Sequence, residues 1–266
     1  MSIEAEADSE EEFLAAYDPS TYPPMAVIAE VALFTLREEG LCLLLIERSG
    51  HPHRGKLALP SWFMQPDESI ETTARRALVE ETSLALDPSH LEQLRTYSTP
   101  GRDPRDCKVR ITSVAHLAFM PDPGQPEPGT QARSAAFVPV DDLAGVTDGG
   151  ALELAFDHVT IIADALERLA AKLEYTTVAA AFLPEHFTLA ELRGIYESVW
   201  GRTLDPGNFT RKVTGVEGFV APVSARRKTG GRSAQLFTHG GARWMLPPML
   251  RPTRTGAKRT PSPSRG

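Results

Sequence analysis

Two nearly unbroken apolar runs, MAVIAEVALFTL from Met25 and LCLLLIERS from Leu41, stand on either side of the polar quartet REEG. Runs of this length bounded by a turn signal predict two buried strands joined as a hairpin. A short segment around Leu57–Phe63 follows, and then the period changes. From Ser69 to Thr82 the pattern is helical, with Asp67 and Ser69 as candidate caps and acids in the first turn. QLRTYST, KVRITSVAHLAFM and SAAFVPVDDL predict further strands, the last two separated by the Pro/Gly loop PDPGQPEPGTQ. The first half, residues 21–155, is expected to be an α/β unit, a mixed sheet with at least one helix on its face.

The rest of the chain is patterned differently. After the weakly ordered DDLAGVTDGGALEL, the stretch FDHVTIIADALERLAAKLEY puts Phe156, Val159, Ile162, Leu166, Leu169 and Leu173 on one stripe, predicting a connecting helix over 156–175. Val178–Leu183 reads as a short helix. Thr188 and Glu191 stand at capping-box spacing and open a second, Leu189–Trp200, with Leu189, Leu192, Tyr196 and Val199 as its stripe and Gly201 as its stop. Asp205-Pro206 supplies an N-cap and a proline at the first helical position for a third, through about Thr214. FVAPVS and AQLFTH, joined by ARRKTGGRS, read as a hairpin with a basic tip. Three short helices and a hairpin, within 176–250, is the order of an α+β winged helix-turn-helix.

Charge sharpens the division. Residues 202–266 carry 13 Lys+Arg against Asp205 and Glu217, a net of +11, whereas residues 1–201 carry a net of −18. A basic second half points to nucleic acid, against the plainer reading of a basic solvated tail on an unrelated domain. The acidic segment 1–20 and the basic low-complexity segment 251–266 are expected to be disordered. With 41% hydrophobic and 24% charged residues the chain is of globular composition, and its apolar runs are too short to span a bilayer. The acidic N-terminus is not a secretory signal, and Cys42 and Cys107 alone suggest a reducing, cytoplasmic setting, Cys42 as a buried core thiol.

Candidate chemistry lies in LPSWFMQPDESIETTARRALVEETSL, residues 59–84. Its layout resembles a Nudix box: Glu68, Arg76, Leu78, Glu80, Glu81 and Leu84 fit, while Trp62, Ala77 and Ser83 replace Gly, Glu and Gly. On a helix, positions 77 and 81 share a face with 80 close by, so carboxylates there would converge on a Mg²⁺ ion. Ala77 removes one of them. That leaves Glu80 and Glu81 as the residual catalytic or metal candidates, and hydrolysis is expected to be lost. Around the box, Arg48 ends the preceding strand, Lys56 opens GKLALP, and RDPR brings Arg102 and Arg105. Arginines at strand ends suit forked recognition of a diphosphate, so Arg48, Lys56, Glu81, Arg102 and Arg105 are the candidate ligand contacts.

The degenerate box, RDPR, KLEYT after FDH, and FTLAELRGIYESVWGRTLDPGNFTRKV together resemble the Nudix-related transcriptional regulators of NAD metabolism, over about residues 25–250. The resemblance implies a Nudix α/β/α sandwich followed by a winged helix, assembled as a homodimer that represses genes of NAD synthesis or salvage. It implies ADP-ribose, or a related nucleotide, as the effector held by the Nudix pocket, with no required cofactor. It also implies a structural ion pair between Glu68 and Arg76. A sensor must hold its ligand where a hydrolase destroys it, which accounts for Ala77.

In the third helix of the winged half, Asn208, Arg211 and Lys212 are the expected base or phosphate contacts on double-stranded DNA, with Phe209 and Val213 turned to the core. Arg226, Arg227, Lys228 and Arg232 at the hairpin tip suit backbone phosphates. A two-fold dimer would read a palindromic operator. His51 and His53 read as loop residues and His158 as structural. Two other functions stay open: an active Nudix hydrolase of ADP-ribose or a related dinucleotide, using Mg²⁺, and a nucleic-acid binding module without an effector.

Overall fold

A computed structural model of the chain describes residues 9–84, 90–143, 153–229 and 232–251. Helix α1 (Glu10–Ala16) and a 3-10 turn (Pro19–Thr21) stand where composition suggested disorder. Local bonds make the difference: Ser9 caps the helix by accepting from the Glu12 N–H, and Glu10, Glu11 and Glu12 sit at its positive end. The rest of that expectation, residues 1–8, and all of the basic segment beyond Arg251 lie outside the described residues.

The sheet is organised about β1 (Met25–Arg37). On one side β2 (Gly40–Arg48) returns antiparallel, in register from Phe34↔Leu43 to Arg37↔Gly40. Gly40 takes φ 109° at the turn, a left-handed value that favours glycine. β3 (Leu57–Ala58) pairs with the end of β2, and β4 (Ser61–Phe63) pairs with the first part of β1. After α2 (Ile70–Thr82), β5 (His90–Tyr97) lies antiparallel to β6 (Arg110–Phe119), and β6 runs parallel to β1 from Met25↔Arg110 to Phe34↔Phe119. β7 (Ala132–Pro139) covers the other edge of β2. One parallel pair among antiparallel ones makes the sheet mixed, as expected. The strand read through to Leu143 instead stops at Pro139, where Asp141 and Asp142 open a helical turn, α3 (Val140–Leu143).

Both faces of this sheet are covered, which is why β1 and β2 read as continuous apolar runs. Ala29, Val31 and Leu33 pack with Ala74 and Leu78 of α2, while Ala32 and Phe34 belong to the opposite layer. That layer is α4 (His158–Tyr175), capping the α/β/α sandwich. Its buried stripe is His158, Ile161, Ile162, Ala165, Leu169 and Leu173, rotated from the expected one. Phe156 precedes the helix and Val159 is exposed, because small Ala165 and polar His158 fit the sheet face that a count of large apolar residues overlooks. The helix is therefore a layer of the sandwich as well as a connection.

The winged half follows as a 3-10 turn (Val178–Phe182), α5 (Leu189–Trp200), α6 (Pro206–Gly215), β8 (Val220–Thr229) and β9 (Arg232–His239). Thr188 and Glu191 make the expected reciprocal capping box, Gly201 ends α5 at φ 61°, and Asp205 caps α6 with Pro206 at its start. The strands run to the hairpin turn, so Arg226, Arg227 and Lys228 are strand residues and not a loop.

Tyr196, Phe209, Val213 and Phe219 of this half belong to the same buried cluster as Phe34, Phe119 and Leu169 of the sandwich. An aromatic stack crosses the seam, His90 on Phe119 at 4.4 Å and Phe119 on Phe182 at 4.7 Å. The Trp200 indole also donates to the Ala170 carbonyl at 3.2 Å. A continuous core couples the stabilities of the two halves. Scanning calorimetry should accordingly show one unfolding transition; two resolved transitions would mean that the seam contributes little.

Candidate effector cleft and DNA-facing surface

The box helix α2 is braced from its own N-terminus. Ser69 accepts from the Thr72 N–H, while Glu68 pairs with Arg76 and accepts from the Thr73 hydroxyl at 2.9 Å. Chiefly through Arg76, the Glu68 carboxyl is held down at about 2. Arg76 also donates to the Phe63 carbonyl at 2.9 Å and lies 5.8 Å from the Trp62 ring centroid, so one guanidinium straps β4 to the helix. Trp62 packs against this brace, in the place where the box pattern has glycine.

At the other end of α2 the polarity inverts. Ala77 is fully buried and Glu81 is 2% exposed. Burial pushes the Glu81 carboxyl up to about 7, against a 3.0 Å hydrogen bond from the Ser61 N–H and the charge of Arg48. Glu80 is half-buried beside it. The Pro/Gly loop closes over this end: Glu127 N–H and Gly129 N–H donate to the carbonyls of Thr82 and Glu81, both at 3.0 Å. A Cβ on Gly129 would stand 1.7 Å from the Glu80 carbonyl oxygen, so only glycine lets the loop pass. Ser83, where the pattern has glycine, is the C-cap at φ 55°. Ser83→Gly should remove that strain and raise stability by about 1 kcal/mol in urea denaturation.

Arg48 and Arg105 converge. Arg48 donates from Nε to the Pro52 carbonyl at 2.8 Å and lies over the Phe156 ring at 5.0 Å. Arg105 is held by Asp103 at 2.6 Å and lies between Phe63 and Phe156, at 5.3 and 5.7 Å. Beside them opens a cleft of about 760 Å³ whose lining includes His51, Phe63, Arg105, Lys108 and Ile111. The volume suits a nucleotide-sized ligand. Lys56 neighbours Arg48, whose N–H donates to its carbonyl at 3.0 Å, and its ammonium pairs with Glu153 at 3.0 Å.

Arg102 does not join this group, a correction to the expected ligand set. Its side chain is 2% exposed and its fork is closed on Asp157 at 2.6 and 2.9 Å, with Glu30 at 3.3 Å. A guanidinium committed to two carboxylates in the interior has no free fork for a ligand. His158, structural as expected, completes the network: its Nδ1 accepts from the Leu59 N–H at 2.9 Å and its Nε2 stands 3.4 Å from Glu30. Sequence reasoning missed Glu30, Asp103, Phe156 and Asp157. Glu30 had a signal, a lone acid inside VIAEVALF; Phe156 had none.

The residues present do not fit a resident metal. Ala77 offers no oxygen, Glu81 is turned to the Ser61 N–H, and among the described residues no three His, Cys, Asp or Glu side chains converge. Mg²⁺ needs oxygen ligands in near-ideal octahedral array.

On α6, Phe209 and Val213 are buried and Asn208, Arg211 and Lys212 are exposed. Arg211 donates to Asn208 Oδ1 at 2.7 Å and Lys212 to the Pro248 carbonyl at 3.0 Å. Arg226 is held across the hairpin by Ser233 at 2.9 Å, and Lys228 is exposed. Arg227 stays exposed beside them, its side chain in a surface ion pair. It bonds Glu191 at 2.7 Å and the His186 carbonyl at 2.9 Å, fastening the wing to α5. Only the backbone of Arg232 is described, opposite Thr229.

Comparison with known proteins agrees with both halves. Residues 27–163 match the NUDIX domain and residues 179–238 the NrtR DNA-binding winged helix domain. The chain is 31% identical over 239 residues to the ADPR responsive transcriptional repressor NtrR of Acinetobacter baylyi, covering 89% of this chain and 91% of that one. Over 134 residues it is 33% identical to the ADP-ribose pyrophosphatase of Methanocaldococcus jannaschii, covering 50% of this chain and 71% of that one. NrtR of Shewanella oneidensis, solved with a 27mer DNA, aligns at TM-score 0.66 and 29% identity over 82% of this chain and 97% of that one. The NUDIX domain of the same protein, solved with ADP ribose, aligns at TM-score 0.53 and 32% identity over 60% of this chain and 99% of that one.

Proposed function

The chain belongs to the NUDIX-domain family of NrtR-type regulators, and on that premise we propose that it is a transcriptional repressor of NAD synthesis or salvage genes released from DNA by ADP-ribose. The observation that carries the reading is the box itself. Its brace, Glu68–Arg76, is intact, while the fully buried Ala77 occupies a ligand position of the metal site. The frame of the cleft is kept and its chemistry is withdrawn, on a chain whose sandwich helix continues into a winged helix.

In this reading Arg48 and the exposed side of the Arg105 guanidinium hold the effector's diphosphate, with Asp103 holding Arg105 in place. Asn208, Arg211 and Lys212 meet the major groove, and Arg226 and Lys228 meet phosphates. A homodimer sets two such helices on a palindromic operator. No helix among the described residues is long and apolar enough to cross a membrane. The test is fluorescence anisotropy of DNA from upstream of NAD-synthesis genes, titrated with the protein with and without ADP-ribose. Tight binding that ADP-ribose relieves supports the repressor; indifference to sequence and to ADP-ribose favours a plain nucleic-acid binding module. Arg211→Ala should weaken operator binding about 10- to 100-fold at fixed salt. Wild-type affinity should fall steeply with added salt as phosphate contacts release counterions. A flat salt response counts against a basic DNA face.

A second reading, hydrolysis of ADP-ribose, has Glu80 and Glu81 in its favour together with the pyrophosphatase relative. Turnover with Mg²⁺ or Mn²⁺ that disappears in Glu81→Gln would establish it.

A further inference from the structure

Phe156 lies between β3 and the start of α4, behind Arg105 of the cleft wall. Its φ is 52°, a left-handed backbone that a bulky side chain adopts only when its surroundings impose it. They do so from both sides. Upstream, the Ala155 N–H donates to the Leu57 carbonyl at 2.7 Å and the Leu57 N–H to the Glu153 carbonyl at 2.9 Å, pinning the segment to β3. Downstream, Asp157 is clamped by Arg102, and His158 takes the Leu59 N–H. Held this way, the ring faces Arg48 at 5.0 Å and Arg105 at 5.7 Å, with His53 edge-on at 4.7 Å.

Two guanidiniums over one ring is an arrangement with a cost. Like charges repel, and the ring's quadrupole is the attraction that keeps both within reach of it. We infer that Phe156 is a positioning residue: its ring sets Arg48 and Arg105 side by side for the two phosphates of the effector, and its place at the head of α4 carries occupancy of the cleft into that helix. This rests on the cleft being the effector site, as proposed above. A diphosphate that draws the two forks together takes their charge off the ring. The ring then shifts on its fixed backbone, and the groups that share that backbone, Asp157 and His158, begin α4. At its other end that helix holds the winged half through the Met245 N–H to the Tyr175 carbonyl at 2.8 Å and through Arg251 to Glu174 at 2.5 Å.

The test compares wild type, Phe156→Leu, which keeps the bulk and loses the quadrupole, and Phe156→Tyr, which restores it. Two quantities are read in the full chain: ADP-ribose affinity by calorimetry, and the ADP-ribose concentration that half-releases operator DNA by anisotropy. Phe156→Leu should weaken ADP-ribose about tenfold and raise the half-release concentration by more than that, and Phe156→Tyr should return both close to wild type. A purely structural role would lower the melting temperature and leave the ratio of the two quantities unchanged. A Leu variant that binds ADP-ribose and releases DNA like wild type overturns the inference, as does a Tyr variant no better than Leu. Should Phe156→Leu fold poorly, Phe156→Tyr and Phe156→Trp are read in wild-type and Arg105→Gln backgrounds. Ring effects that vanish once Arg105 is gone support positioning, and additive ones refute it. Wild type that binds ADP-ribose but stays on DNA refutes release, and with it the link through α4, while the affinity comparison still decides the arginine positioning. Wild type that does not bind ADP-ribose overturns both.

Discussion

Arg102→Ala should destabilise this protein by about 3–5 kcal/mol in chemical denaturation. Arg102 is the cation that two acids require: Asp157 closes on its fork at 2.6 and 2.9 Å and Glu30, 1% exposed, stands 3.3 Å away. Removing it leaves buried Glu30 with only neutral partners, His158 and Ser113, and takes the fork from half-buried Asp157. Burial opposes the Glu30 charge, yet the His158 ring and the Arg102 guanidinium beside it keep its carboxyl below the usual range. A group depressed in the folded state contributes stability above its unfolded value of 4.5, and that contribution is lost as pH falls. The deficit of Arg102→Ala should therefore shrink toward pH 4. A variant within about 1 kcal/mol of wild type at neutral pH would mean that Asp157 and Glu30 do not depend on this cation.

Glu81→Gln is expected to act in the opposite direction. The Glu81 carboxyl stands at about 7 in the folded protein against 4.5 as its ordinary value, so the folded state binds the proton more tightly than the unfolded chain. Stability from this group is then complete below pH 4.5 and declines as pH rises through 7, by about 3 kcal/mol in all. The amide that replaces the carboxyl can still accept the Ser61 N–H and has no proton to lose. The variant should match wild type near pH 5, exceed it by about 2–3 kcal/mol at pH 8, and show a flatter stability curve between. Parallel curves for the two proteins would place the Glu81 carboxyl in contact with solvent.

Much of this arrangement was legible beforehand where the relevant partners are close in sequence. Ser69 capping α2, the Thr188–Glu191 box and the Asp205-Pro206 start of α6 are contacts within a few residues, and the chain adopts them as expected. The apolar runs of β1 and β2 reported a sheet covered on both faces. Their register, including the parallel pairing of β1 with β6, was not legible, because nothing local selects a strand from the far side of the box. Phe156 and Val159 leave the expected stripe for a related reason. A stripe counted by residue size ignores the kink at φ 52° that takes Phe156 out of the helix.

What the sequence alone determined is the order of elements and the two-part plan, which depend on residue type and on spacing along a single helix or turn. Its resemblance to the Nudix box implied the Glu68–Arg76 brace and the carboxylate missing at Ala77. What only the tertiary structure decided is which charges are free. Arg102 is committed to Asp157, 55 residues away, and Glu81 is buried against Ser61, 20 residues away. An arginine in a sequence is a fork without a partner. Burial and long-range pairing assign the partner, because desolvating a charge is tolerated only where the fold brings its counter-charge or hydrogen bond to meet it.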